Sequence, residues 1–227
     1  MPLLSPRTTL FFLCDIQTRF RTAIHAYDQL ILSSNKLLKI AKHFDCPVVA
    51  TTQNARALGP IDPRIDTSIL GPLYLGAFDK TRFSMITSDI KAILDARPQT
   101  TSVVLFGIES HVCVLQTALS LLALSSTRSQ PIVPYLPLDA ISSCNAFEID
   151  VAVARLRQAG AVITSSESLA FELMGDASLP GFKEFSKIIK EEKENTKVAG
   201  DALILGRQTS EPATEADVAG GGVLMKG

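Results

Sequence analysis

Val103-Val104-Leu105-Phe106-Gly107-Ile108-Glu109-Ser110-His111-Val112-Cys113-Val114 is the stretch that decides how this chain folds. Four apolar residues, two of them β-branched and one aromatic, read as a buried strand, and Gly107 breaks it. From Val114 the apolar spacing changes to that of a helix, continuing at Ala118, Leu121 and Leu122. A strand, a tight turn and a helix in so few residues are half of a βαβ unit, and the same alternation extends in both directions. Leu10 to Leu13, Val48 to Ala50 and Ala161 to Ile163 are further strands, with a weaker one at Ile132-Val133 between Pro131 and Pro134. Between them, Leu30, Leu37, Leu38, Ala41 and Phe44 share a helical face, as do Ile90, Ile93 and Leu94, and Ile149, Ala152, Val153 and Leu156. Pro47 and Pro98 follow the first two of these helices, and Gly160 suits the stop of the last. The pattern predicts an α/β fold of three layers, a parallel sheet covered by helices on both faces.

In such sheets ligands bind beyond the carboxyl ends of the strands, where loops converge and helix N-termini point their free N–H groups outward. The polar residues there are Asp15 and Gln17 after the first strand, Thr52 and Gln53 after the second, Lys80 after Leu75 to Phe78, and Glu109 to Cys113 after the fourth. Cys113 falls in the first helical turn, where the helix terminus and an ammonium such as Lys80 both favour a thiolate. Taken singly, each has an ordinary alternative: a buried cysteine packing as a small hydrophobe, an aspartate in a turn, a solvated lysine. Their convergence favours chemistry. His111 is no partner for Cys113 if both are helical, because positions i and i+2 point about 200° apart; it reads as a substrate-side or surface residue. Gln17, Phe20, Gln53, Phe83 and Val112 are candidates for a substrate pocket, with loop and core packing as their alternative.

Composition removes several classes of function. The 227 residues are 46% hydrophobic, enough for one sizeable domain. Twenty-two lysines and arginines against 23 acids give a net charge of −1, which provides no basic field and makes nucleic acid an unlikely partner. The four cysteines, at 14, 46, 113 and 144, lack both CxxC spacing and disulfide-scaffold density, and fit a reducing, cytoplasmic setting. No apolar run is long enough for a membrane span, and the run at Leu10 to Leu13 is too short for a signal peptide. There is no G-x-G-x-x-G after the first strand, no P-loop and no H-E-x-x-H, and the three histidines are too scattered to suggest zinc by spacing. From about Asn195 the chain has no aromatic residue and a run of three glycines at 220 to 222, so residues 1–194 read as the domain and 195–227 as a mobile tail.

Over about Thr8 to Lys190 these residues resemble the isochorismatase-like hydrolases, and within them the eukaryotic isochorismatase domain-containing proteins. The resemblance is carried by Phe12-Leu13-Cys14-Asp15-Ile16-Gln17, Lys80-Thr81-Arg82-Phe83-Ser84-Met85, the Val103 to Val114 stretch and Asp139-Ala140-Ile141-Ser142-Ser143, in that order and separation. It implies a six-stranded, mostly parallel sheet, Rossmann-like in layout. It also implies a catalytic group of Asp15, Lys80 and Cys113. A cis peptide at Ile108-Glu109 is implied as well, turning the Glu109 N–H toward that of Cys113 as an oxyanion hole. Relatives that hydrolyse nicotinamide hold a metal through an Asp-x-His motif after the second strand. This chain has Thr52-Gln53-Asn54-Ala55-Arg56 there, so no metal and no other cofactor are expected. Cys144 stands where close relatives have arginine.

The expected function is metal-independent hydrolysis of a small molecule through a thioester-type intermediate on Cys113, by a chain that self-associates into a homo-oligomer. The alternatives are a binding protein that keeps the hydrolase fold, and an RNA-cleaving enzyme, which needs a basic groove. Lys80 is expected to matter for the thiolate rather than for the core, and the tail is expected to add nothing to stability.

Overall fold

A computed structural model describes residues 4–125 and 128–206. Six strands form one sheet: β1 (Thr9–Cys14), β2 (Val48–Gln53), β3 (Tyr74–Lys80), β4 (Ser102–Gly107), β5 (Val133–Pro137) and β6 (Val162–Thr164). Their order is β3-β2-β1-β4-β5-β6 and every pairing is parallel, so the expected sheet is all-parallel rather than mostly so. The chain winds outward from β1 to one edge and then from β4 to the other. That makes the β1/β4 seam the topological switch point, where loops leave in opposite directions and open a crevice.

The all-apolar strand sequences are explained by burial on both faces. Phe11, Leu13, Val48, Ala50, Val104 and Phe106 pack into one cluster with Leu30, Leu37, Leu38 and Ala41 of helix α1 (Tyr27–His43). Leu10, Phe12, Cys14, Val49, Val103 and Leu105 face the other way. They meet Ile90 and Leu94 of α3 (Ser88–Asp95), Ala118 and Leu121 of α4 (Leu115–Leu124), and Ile149, Val153 and Leu156 of α5 (Ala146–Ala159). A short helix α2 (Ala55–Leu58) follows β2. The β3 edge strand is only partly covered, in keeping with its mixed sequence. Among the described residues no helix is long and apolar enough to cross a membrane.

Three helices close the chain: α6 (Ser166–Met174), α7 (Phe182–Glu191) and α8 (Lys193–Gly200), with a further turn at Asp201–Leu205. They correct the expected boundary at 194. Ala199 and Leu203 are fully buried in the α1-side core, and the Lys36 ammonium, itself buried, donates to Thr196 Oγ1 at 2.7 Å. The segment from 195 to 205 is therefore part of the domain; its few apolar residues hide because polar side chains carry much of its docking. The rest of the expected tail, 207–227 with its glycine run, lies outside the described residues.

Candidate active site

The switch point is where the chemistry-bearing residues meet. β1 ends on Cys14 and hands the chain to Asp15 in a left-handed conformation, φ 52°. Its carboxylate accepts from Thr51 Oγ1 at 2.8 Å and from Lys80 Nζ at 2.6 Å, and both ends of that ion pair are almost entirely buried. Lys80, the last residue of β3, also donates to Gln53 Oε1 at 2.7 Å and to the carbonyls of Phe83 and Arg82 at 3.0 and 3.1 Å. Its Nζ lies 3.8 Å from Cys113 Sγ. Burial by itself lowers the Lys80 pKa, but the electrostatic influence of Cys14 and Asp15 more than offsets this, holding the amine above its ordinary value.

On the other side of the seam, β4 ends at Gly107 with φ 121°. A Cβ there would sit 2.1 Å from the Cys14 carbonyl, so only glycine lets the two strand ends approach. The Ile108–Glu109 peptide is cis. Residues Ser110–Val114 form a π-helical turn before α4, a wider coil than the α-helical start expected at Val114. In it the Glu109 carbonyl accepts from the N–H groups of Val112 and Val114, both at 3.1 Å, on either side of Cys113.

A cavity of about 170 Å³ is lined by Asp15, Phe20, Gln53, Leu58, Phe83, Ile108, Glu109, Val112 and Cys113. Larger grooves run along α7, away from these groups. Phe20, Gln53, Phe83 and Val112 thus stand where the sequence reading put them, and Asp15, Lys80 and Cys113 are brought together. Gln17 is corrected: it is fully buried and does not face the cavity. Its amide accepts from the Gln53 N–H at 2.7 Å and donates to the carbonyls of Gln53 and Gly59, tying the loop after β1 to the loop after β2.

Thr51, Leu58 and Ile108 were missed. Side-chain alternation could have found the first, because Thr51 and Gln53 face the site while Thr52 turns to Asp79 at 2.9 Å. His111 makes no use of Cys113: its Nδ1 lies 3.0 Å from Ser143 Oγ.

The other thiols are held back from reaction. Burial and hydrogen bonding to Cys113 push the Cys14 thiol well above its ordinary value, burial pushes Cys46 up to about 12, and hydrogen bonding to Glu109, ahead of burial, raises Cys144. Iodoacetamide at neutral pH should accordingly modify Cys113 first, as peptide mapping would report. Faster labelling of Cys144, the one exposed thiol, would mean that exposure outweighs the lysine's influence.

Comparison with known proteins identifies the family and the fold. The chain is 38% identical over 195 residues to isochorismatase domain-containing protein 2 of Homo sapiens, covering 86% of this chain and 89% of that protein. It is 39% identical over 189 residues to a secreted isochorismatase effector of Phytophthora sojae, with 83% and 87% covered. A solved structure from Caenorhabditis elegans, described as MAR1 ribonuclease, superposes with a TM-score of 0.76 at 32% identity over 83% of this chain and 93% of that one. The family model described as isochorismatase domain matches residues 9–168, from the first residue of β1 into α6 and so across every strand end that builds the cavity: the chain belongs to the isochorismatase family, with its hydrolase fold.

Proposed function

We propose that this protein is a metal-independent cysteine hydrolase of a small molecule carrying an amide, ester or related bond. The observation that carries the reading is the Lys80 ammonium set between the Asp15 carboxylate at 2.6 Å and the Cys113 sulfur at 3.8 Å, beside a small cavity. Lys80 stabilises the negative charge on both neighbours. Asp15 takes the thiol proton, Cys113 Sγ bonds to the carbonyl carbon, and the carbonyl π pair moves onto oxygen. The N–H groups of Glu109 and Cys113 receive that oxyanion, a contribution of about 2.7–4 kcal/mol per donor. On collapse the leaving group departs with the proton from Asp15, leaving a thioester. Asp15, again a carboxylate, then draws a proton from water, whose oxygen bonds to the thioester carbon; the carbon–sulfur bond breaks, the acid product leaves, and Asp15 returns its proton to the Cys113 sulfur. The cavity has the volume of about six waters at roughly 30 Å³ each, which suits a compact acyl group.

Incubating the protein with a metabolite pool and searching Cys113 by mass spectrometry for an acyl adduct tests this reading. Adducts on Cys113 that vanish on dilution into water support it; a pool that leaves Cys113 bare while the pure protein still consumes a component from that pool would refute the covalent route. Turnover should survive EDTA, because Gln53 at the end of β2 and Asn54 beyond it stand where the nicotinamide-hydrolysing relatives carry their metal-binding Asp-x-His. Loss of activity on chelation, restored by zinc, would overturn metal independence.

A second reading comes from the C. elegans protein's description as a ribonuclease. Against it stand the net charge of −1 and the small cavity. Salt-dependent RNA binding and cleavage lost in Cys113→Ser would favour it. A binding protein that merely keeps the fold predicts an inert Cys113, so stoichiometric labelling argues against that third reading. All four cysteines are free, in keeping with a cytoplasmic setting. Phe147 and Val151, exposed one turn apart on α5, are a surface through which copies could associate, which light scattering would report.

A further inference from the structure

We propose that Glu109, His111 and Cys144 form a binding site for zinc or a similar borderline-soft divalent ion at the rim of the cavity, separate from Asp15, Lys80 and Cys113. One carboxylate oxygen of Glu109, one ring nitrogen of His111 and the Cys144 sulfur lie within 4.8 Å of one another. Zinc bonds of about 2.0–2.3 Å place tetrahedral ligand atoms about 3.3–3.8 Å apart, so small side-chain rotations close the set. Glu109 and His111 are half-buried and Cys144 is exposed, which leaves the ion a route in.

Two contacts already organise the group. The Cys144 N–H donates to Glu109 Oε2 at 2.9 Å, drawing the carboxylate to the cysteine, and the Ser143 hydroxyl lies 3.0 Å from His111 Nδ1, fixing the ring. Partners of this kind orient ligands in metal sites. The donor set, one oxygen, one nitrogen and one sulfur, suits zinc better than calcium or magnesium, which take oxygens. Binding exchanges the Cys144 thiol proton, released to solvent, for the S–Zn bond, and leaves a fourth position to water. The residues come from two loops 35 positions apart in sequence, joined where Gly107 bridges Ile141 and the Ser110 N–H donates to Ser142 O at 2.8 Å.

Glu109 also lines the cavity, and its N–H serves the oxyanion in the function proposed above. Zinc on its carboxylate therefore hinders the site. That consequence rests on the proposed function, whereas the binding itself does not.

The test uses the full chain with Cys113→Ser, so that the candidate nucleophile cannot hold the ion, titrated with zinc against a chromophoric chelator and with cobalt(II) as a spectroscopic probe. One ion per chain with thiolate-to-cobalt absorption is expected, and adding Cys144→Ala should remove that absorption and weaken zinc at least tenfold. Equal zinc affinity in the two proteins, or none in either, overturns the site; circular dichroism of each checks that exposed Cys144 was replaced without unfolding. With Cys113 restored, zinc should slow its alkylation, and Cys144→Ala should abolish the slowing. If zinc binds through Cys144 yet alkylation is untouched, the hindrance is refuted while the binding stands. If Cys113 proves inert without zinc, it is the hydrolase reading that fails.

Discussion

Lys80→Met should stop turnover and, at neutral pH, slow alkylation of Cys113 by roughly tenfold or more, because the ammonium 3.8 Å from the sulfur is gone. It should also cost stability, contrary to the expectation drawn from sequence. Methionine keeps the aliphatic stem, but the amine it removes neutralises Asp15 inside the protein and satisfies Gln53 Oε1 and two backbone carbonyls. Breaking a buried pair from one side leaves an uncompensated charge and costs about 3–5 kcal/mol, or roughly 6–20 °C in melting temperature for a domain of this size. The double variant Asp15→Asn with Lys80→Met removes the orphaned charge and should recover much of the loss while remaining inactive. The pH dependence has a definite sign. The folded-state pKa of Lys80 is raised above 10.5, so its contribution is complete below that value and is lost only as pH climbs through the folded value. The gap between wild type and variant should therefore persist from neutral pH to about 10.5. A Lys80→Met protein that melts and alkylates like wild type would remove Lys80 from the site.

The strands that build the site were legible because burial on both sheet faces writes them as unbroken apolar runs, as in Leu10-Phe11-Phe12-Leu13. The catalytic candidates were legible for a related reason: in a parallel sheet, polar residues just past those runs have one place to go. What sequence could not convey was which way each polar side chain turns there. Gln17 looks like Gln53 in sequence, yet one is wholly spent on backbone groups and the other reaches Lys80. Thr51 and Thr52 are the same residue, and only the strand's alternation sends one hydroxyl to Asp15 and the other to Asp79. Histidine spacing, likewise, reports only on local motifs. The Glu109, His111 and Cys144 group arises from a bridge between distant loops, which no local spacing encodes.

Truncation after Glu194 should destabilise the protein substantially, although composition alone makes the removed segment look dispensable. It exposes the surface that Leu203 and Ala199 cover, and burial of a leucine alone is worth about 1.5–3 kcal/mol. It also deletes Thr196, the acceptor of Lys36 Nζ at 2.7 Å, leaving that buried ammonium only Glu167 at 3.5 Å. Burial already depresses the Lys36 pKa, so the amine sits where loss of a partner is costly, about 1–3 kcal/mol. Together these give about 3–6 kcal/mol, or roughly 6–24 °C in melting temperature. A chain ending at Gly206 keeps every one of these contacts and is the control. If the loss arises as described, Lys36→Met should lower stability more in the control than in the chain ending at Glu194, because only in the control does the amine keep its bond to Thr196. A truncated chain that melts within a few degrees of the control, or Lys36→Met costs that are equal in the two chains, would show that the docking of α8 onto α1 contributes little to the fold.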